Sequence, residues 1–477
     1  MKLAPLDITS NIDNTITKYT NVKSTKILRT LQLFIKMSVK IRAAYTNSIS
    51  TSRIIFTCLA AVIVRYYLML SKYQTVIANH VEVSTPLNSW KRVSEGLYLI
   101  SKNINPYEGD VLHETPLSLY LYKNILLVFQ DRIHLAFITF DVATAIILFF
   151  TTKKFNWDLF VEEENNKETF AKDAVECFLK PEKLFKSSYY VLLTYLFNPF
   201  TLFSCVGYST TVFYNFYLAV MMFCMVHGIS VICGIFLALA ASVSFYPVVL
   251  ILPVTMYFKY AIKSNFKIII NLFSFITTSV LIMLMCTDFG KDFSYIRNVY
   301  GCILTVPDLQ PNIGLFWYFF TEMFEHFREL FIYAFQINNT ILYLVPISLR
   351  FRKHPFLLTV AINFIITIFK SYPSVGDVGF VLSVVPSFPH LFPFSQQGFL
   401  VGTMLIISTS LAPILYYLWI YCNSANANFY FGVTLSFAVA QIFLLTDLLF
   451  SQVKRDYMLK YGKNRKIDGE EGILCLE

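Results

Sequence analysis

The sequence predicts an all-α polytopic membrane protein with about twelve transmembrane helices, and three observations carry that prediction. Hydrophobic residues make up 56 % of the 477-residue chain and charged residues only 14 %, too little polar surface to cover a water-soluble globule. Mean hydropathy is +0.56. Apolar runs long enough to cross ~30 Å of hydrocarbon, which takes ~20 helical residues, recur along most of the length.

Residues 1–53 come first and are polar and basic, with Lys18, Lys23, Lys26, Arg29, Lys36, Lys40 and Arg42. They hold no short apolar core and no small-residue cleavage site, so they read as a disordered cytosolic arm rather than a removed leader. The multispanning domain is expected over 54–452. Its first run, Ile54–Leu70, is a retained anchor, and a polar loop at 71–116 follows it. The later runs are His134–Thr151, Ser188–Cys205, Val212–Val226, Ile229–Ser244, Val248–Tyr260, Phe266–Met285, Phe327–Val345, Pro355–Phe369, Phe380–Leu391, Leu400–Tyr421 and Phe429–Phe450. Residues 453–477 return to polar composition as a cytosolic tail.

Lys and Arg collect in cytosolic loops, so basic clusters mark orientation. The arm, the group Lys259/Lys263/Lys267, "RFRKH" at Arg350–His354 and "KRDYMLKYGKNRK" at Lys454–Lys466 mark the cytosolic side. That usage accounts for the net charge of +9 without nucleic acid. Residues 71–116, 286–325, 371–377 and 423–428 then fall on the luminal side. In the first half one apolar run is in excess. Either Leu117–Phe129 or a run around Asn198–Tyr208 is re-entrant or interfacial, and Lys153–Lys186 has no secure side. The nine cysteines are odd in number, and Cys58, Cys205, Cys224, Cys233 and Cys286 lie in or beside apolar runs, where they read as small hydrophobes.

Within the first luminal loop, "NPYEGDVLHETPL" places Glu108, Asp110, His113 and Glu114 close together. Thr115-Pro116 reads as an N-cap with proline at the first helical position, so Glu114 stabilises a helix start. A metal or acid/base site is the competing reading. It lacks the second histidine of an H-E-x-x-H helix, and Pro116 interrupts the helix that motif needs. No metal or other cofactor is expected.

Five stretches carry a family resemblance: "VEVSTPLNSWKRVSEGLYL" with "NPYEGDVLHETPL", "TVPDLQPNIGLFWYFFTEMFEHF", "FKSYPSVGDV" and "LWIYCNSANANFYF". On these the chain resembles the PIG-U family, multispanning subunits of the glycosylphosphatidylinositol (GPI) transamidase of the endoplasmic reticulum. The likeness runs from about Arg53 to Gly462 and leaves the N-terminal arm unmatched. It implies a non-catalytic membrane subunit of a complex that attaches preassembled GPI to precursor proteins. The catalytic cysteine then sits on a caspase-like partner, and this chain binds or presents the GPI lipid or the C-terminal attachment signal. The family is also similar to the C-type, lipid-linked-sugar glycosyltransferases, which implies a GT-C-like scaffold. An active glycosyltransferase is the alternative. Glu82 in "VEVST" stands where those enzymes place a catalytic acid, but no D-x-D-like acidic neighbour accompanies it.

A GPI lipid needs an apolar slot and, at the luminal boundary, groups that hydrogen-bond sugar and phosphate. Candidate contacts are the amide-rich turn Asn423, Ser424, Asn426 and Asn428, and a second turn with Lys370, Tyr372 and Asp377. The plainer account is that Asn and Ser are ordinary turn and capping residues. Glu82, Asp110, His113 and Glu114 are the luminal-loop candidates. Arg65 and Asp141 lie inside apolar runs, where charge needs a partner; Arg65 has the option of snorkelling, and Asp141 of pairing with a neighbouring helix. "FWYFFTEMFEHF" reads as an interfacial helix, and the sequon Asn338-Asn339-Thr340 sits in an apolar run.

Overall fold

The computed structural model describes residues 50–130, 132–290, 294–337, 341–462, 466–467 and 470–471. The basic cluster of the N-terminal arm, the sequon Asn338-Asn339-Thr340 and most of the tail past Gly462 lie outside the described residues. What is described is helical apart from a two-residue antiparallel pair, Lys466–Ile467 with Glu470–Glu471.

The principal helices in chain order are α1 (Thr51–Met69), α2 (Tyr73–Ala78), α3 (Trp90–Ser101), α4 (Pro116–Phe129), α5 (Ile133–Asn165), α6 (Pro181–Phe197), α7 (Pro199–Val206), α8 (Thr211–His227) and α9 (Ser230–Ser244). They continue with α10 (Ile251–Met256), α11 (Asn265–Gly290), α12 (Phe316–Thr321), α13 (Glu325–Ile337), α14 (Tyr343–Arg350), α15 (Pro355–Phe369), α16 (Val375–Val384), α17 (Gly398–Ile420) and α18 (Ala427–Tyr461). By length and apolarity, five are sufficient to cross a membrane: α1, α5, α11, α17 and α18. A sixth is added if α6 and α7, bent by 46° at their junction, count as one span. The bend is written in Asn198-Pro199. The Asn198 side chain accepts from the Phe200 N–H at 3.0 Å, and proline at the first position of α7 cannot continue the donor ladder of α6. Six further apolar helical segments run from 10 to 17 residues, among them α4, α8, α9 and α15.

Side-chain pairing shows which ends of the helices lie together. At one end Glu163 bonds Arg455, the Ala171 N–H donates to the Leu459 carbonyl at 2.9 Å, and His354 meets Asp456 at 2.7 Å. This basic end therefore gathers "RFRKH", the last turns of α18 and the charged segment after α5, whose side the sequence left open. At the other, the loop end, the Val375 N–H donates to the Glu82 carbonyl at 2.9 Å, the Thr210 N–H donates to the Asn88 carbonyl at 2.9 Å, and the Tyr430 hydroxyl reaches Glu82 at 3.2 Å. The start of α5 is also there, since His134 packs on Tyr66 near the end of α1 with ring centroids 5.6 Å apart. Helix α4 thus begins and ends at the loop end. Its start is as the sequence predicted: the Thr115 side chain accepts from the Ser118 N–H at 3.2 Å, with Pro116 at the first position.

The pairs α9–α11, α17–α18, α5–α8 and α5–α6 pack most extensively. A glycine permits the first of these: a Cβ at Gly234 would lie 2.6 Å from the Asn271 carbonyl oxygen. Helix α15 is enclosed, with every residue from Pro355 to Ile368 buried, as expected of a helix apolar on all faces. The two charges that the sequence placed in apolar runs pair with each other. Arg65 Nε donates to Asp141 at 2.6 Å, Arg65 Nη1 donates to the Leu196 carbonyl at 2.8 Å, and the Tyr195 hydroxyl donates to Asp141 at 3.1 Å. Arg65 therefore does not snorkel; it is fully buried where α1, α5 and α6 meet.

Glu114 anchors the loop from below α4. It is 4 % exposed and its carboxylate accepts from the Thr210 hydroxyl at 2.6 Å. Burial pushes its carboxyl up to about 7, more than the bonds from Thr210 and Ser118 pull it down.

Two tests follow from these contacts. Removing either partner of the α1–α5 pair, by Arg65→Ala or Asp141→Asn, leaves an uncompensated buried charge or donor and lowers stability by about 3–5 kcal/mol; an apolar double replacement, Arg65→Met with Asp141→Leu, recovers much of it. Thermal unfolding in mild detergent measures both. Because the Glu114 carboxyl is raised on folding, its stabilising contribution is complete below pH ~4.5 and is lost as pH rises through about 7. At 1.36 kcal/mol per unit this amounts to about 3 kcal/mol. The difference in stability between wild type and Glu114→Gln across that pH range checks it, and a pH-independent difference refutes it.

Candidate functional site

The loop end concentrates the polar residues singled out above, and its geometry starts from a short local fold. In "STPLN" the Thr85 N–H donates to the Asn88 side chain at 2.6 Å, which turns the chain back, and Asn88 Nδ2 donates to the Thr211 hydroxyl at 2.9 Å. That turn sets the preceding residues against the helices. Glu82 is held at three points: its backbone carbonyl by the Val375 N–H, one carboxylate oxygen by the Tyr430 hydroxyl at 3.2 Å, and the other by His80 Nδ1 at 2.8 Å. The bond to Glu82 raises His80 above its ordinary value, against the opposing effect of burial.

His80 and Glu82 stand at one wall of a cavity of about 260 Å3 bounded by α2, α7, α17 and α18. The rest of the lining is largely apolar, with Ile77, Phe200, Phe203, Val433 and Phe437 prominent. Beside Glu82 lies an aromatic layer. Trp317 and Trp419 stack with centroids 6.0 Å apart, and Tyr430 contacts Trp317, Trp419 and Tyr416 within 6.2 Å. Rings gathered at one end suit a membrane–water boundary. "FWYFFTEMFEHF" is accordingly not one interfacial helix. It divides into α12, whose Phe316, Trp317 and Phe320 are buried in the chain, and the start of α13, preceded by Phe324 at 82 % exposure.

The structure separates the predicted residues into an engaged set and an open set. Lys370 Nζ lies 2.7 Å from Asp377, which also caps α16 through Ser374, and the Tyr372 hydroxyl accepts from the Asp308 N–H at 3.2 Å. These three side chains are buried. In the amide-rich turn, Asn423 is exposed with φ +51°, a left-handed conformation that Asn tolerates. Ser424 is exposed; Asn426 caps α18 by accepting from the Phe429 N–H at 3.4 Å, and Asn428 accepts from Tyr318. Of the acidic cluster, Asp110 is exposed and His113 Nδ1 meets the Asn298 carbonyl at 2.7 Å, so neither joins Glu114 in a site. Among the described residues no group of three His, Cys, Asp or Glu could hold a metal.

Glu82, alone of the luminal-loop candidates, lines the cavity. Its partners His80 and Tyr430 were missed. His80 carried a signal in its i, i+2 spacing from Glu82, whereas Tyr430 lies 348 positions away and gave none.

Comparison with known proteins covers nearly the whole described region. The model of the family PIG-U, described as GPI transamidase subunit PIG-U, matches residues 59–437. The GPI-anchor transamidase component PIGU of Homo sapiens is 38 % identical over 436 residues, covering 89 % of this chain and 99 % of that protein. Its counterpart in Mus musculus is 39 % identical over 87 % of this chain and 98 % of its own length. The GPI transamidase component GAB1 of Saccharomyces cerevisiae is 30 % identical over 80 % of this chain and 90 % of its own. A family match of this extent, joined to relatives similar along almost their full length, means that the chain belongs to the PIG-U family.

Proposed function

We propose that the chain is the multispanning, non-catalytic subunit of a GPI transamidase in the endoplasmic reticulum membrane. There it holds the GPI lipid or the precursor's C-terminal signal while a caspase-like cysteine peptidase on another chain performs the transfer. The observation that carries this is the near full-length similarity to proteins named as components of that enzyme. The cysteines agree with it. Burial pushes the Cys302 thiol up to about 11, the opposite of an activated nucleophile. Nothing among the described residues or the named relatives recommends the glycosyltransferase alternative.

We take the loop end as luminal and the basic end as cytosolic. Twelve crossings then close the parity: the five long helices, the bent α6–α7 pair, α8, α9, the segment around α10, α13 with α14, α15, and α16. Support comes from α4 keeping both its ends at the loop end, and from "RFRKH" and the last turns of α18 meeting at the opposite end. A GT-C-like scaffold remains part of this reading through the family likeness.

For the lipid headgroup, the open set has freedom to act. Asn423 and Ser424 are exposed at the boundary, with Asn426 and Asn428 beside them. Lys370, Tyr372 and Asp377 shape the floor of the same end from within, and Glu82 forms its inner wall; Asp110, His113 and Glu114 belong to the loop that covers it.

Depleting the chain from cells should leave complete GPI lipid accumulating while precursor proteins keep their C-terminal signals, read by lipid analysis and by precursor size. Accumulation of incomplete GPI instead would overturn the proposal. In the assembled enzyme, Cys422→Ser should keep the transamidation rate within about twofold, because the nucleophile is placed on another subunit.

A further inference from the structure

The cavity beside Glu82 has a chemistry of its own. From His80 and Glu82 it runs along α18 as far as Phe437, which at 1.5 Å per residue is ~15 Å from the first turn of that helix. Its depth is hydrocarbon-like, and the Glu82 carboxylate is the acidic group of its lining. Ser408 and Thr434 donate their hydroxyls to carbonyls of their own helices, at 2.6 and 3.0 Å, and so offer no free donor. Pro413 lies inside α17 and has no N–H, so the carbonyl of Thr409, which also lines the cavity, lacks its helical donor. At one wall stands the Glu82 carboxylate. His80 and Tyr430 use two of its roughly four lone-pair sites.

An apolar channel bordered by a carboxylate with unused acceptor sites suits a long hydrocarbon carrying a cationic N–H donor. We propose that this cavity holds one hydrocarbon chain of a membrane lipid whose headgroup bears a primary ammonium, which donates to Glu82. A quaternary ammonium brings charge but no donor, and an anionic headgroup meets the carboxylate unfavourably. Two sources supply this chemistry: an ethanolamine phospholipid of the bulk bilayer, and a GPI lipid with its ethanolamine. Only the second form rests on the transamidase reading.

The test uses the full chain, with whatever subunits accompany it, in mild detergent. Native mass spectrometry follows exposure to equal amounts of dioleoyl phosphatidylethanolamine, phosphatidylcholine and phosphatidylglycerol. The expected result is one phosphatidylethanolamine retained per chain, about tenfold over the other two, as befits one charged hydrogen bond. Glu82→Gln should bring that preference to about onefold, and Ala412→Phe, which fills the cavity, should remove all three lipids. Equal retention by the wild type, no retention, or a preference that survives Glu82→Gln overturns the proposal. Unfolding midpoints are measured for both variants, and if Ala412→Phe is destabilised the near-isosteric Glu82→Gln decides alone. Lipid masses recovered from cells able and unable to complete GPI separate the sources. An ethanolamine phospholipid from both assigns the site to bulk lipid, and a GPI mass from the first alone assigns it to the substrate.

Discussion

A chain in hydrocarbon has no water with which to satisfy its backbone, so every N–H and carbonyl at membrane depth must find a partner within the protein. That constraint explains both why the described chain is nearly all helix and where its helices break. The interruption at Asn198-Pro199 is capped by the Asn198 side chain, and α7 packs back against α16, so the broken ladder is enclosed by protein. Pro413 is different in kind: α17 continues through it, and the Thr409 carbonyl is left without its helical donor in a stretch whose residues line the cavity. The same rule governs side chains. Arg65 and Asp141 stay in the bundle because they pair with each other, with Tyr195 donating to Asp141 and the Leu196 carbonyl accepting from Arg65.

Much of this architecture was legible in the sequence because it depends on local signals. The apolar runs and the Thr115-Pro116 helix start need only composition and nearest neighbours. The path of α4 was not legible, because a helix that keeps both ends at one end of the bundle and a helix that runs its length look alike in hydropathy. What distinguishes α4 is that α5 begins beside Tyr66, and that contact is between residues 68 positions apart. The same limit hid the partner of Asp141. An apolar run announces that a buried carboxylate needs a cation, but not that Arg65, 76 positions earlier, is the one.

The site was legible in its ingredients and not in their division of labour. Asn and Ser between apolar runs look the same whether they cap a helix or wait for a ligand; here Asn426 caps α18, the Ser424 hydroxyl donates to the Leu418 carbonyl at 3.3 Å, and Asn423 is exposed. Lys370 and Asp377 read from sequence as charges free to meet phosphate or sugar. Folded, they neutralise each other next to the capping box of α16. Charged groups paired in this way fix the position of the chain.

Glu82 is where the structural and functional demands coincide. Its backbone holds the loop to α16 and its carboxylate holds Tyr430 of α18, so the acid joins the first loop to two helices from the far end of the sequence. A carboxylate used only as a strut could be fully enclosed, as Glu114 is beneath α4. Glu82 instead borders a cavity, and its partner His80 is the more exposed of the two, with side-chain exposures of 34 % for His80 and 10 % for Glu82. An acid at the wall of an apolar cavity, with two of its roughly four lone-pair sites taken by His80 and Tyr430, retains acceptor capacity. The fold therefore keeps an acidic group beside an otherwise apolar space, held there by the same contacts that tie the first loop to α16 and α18.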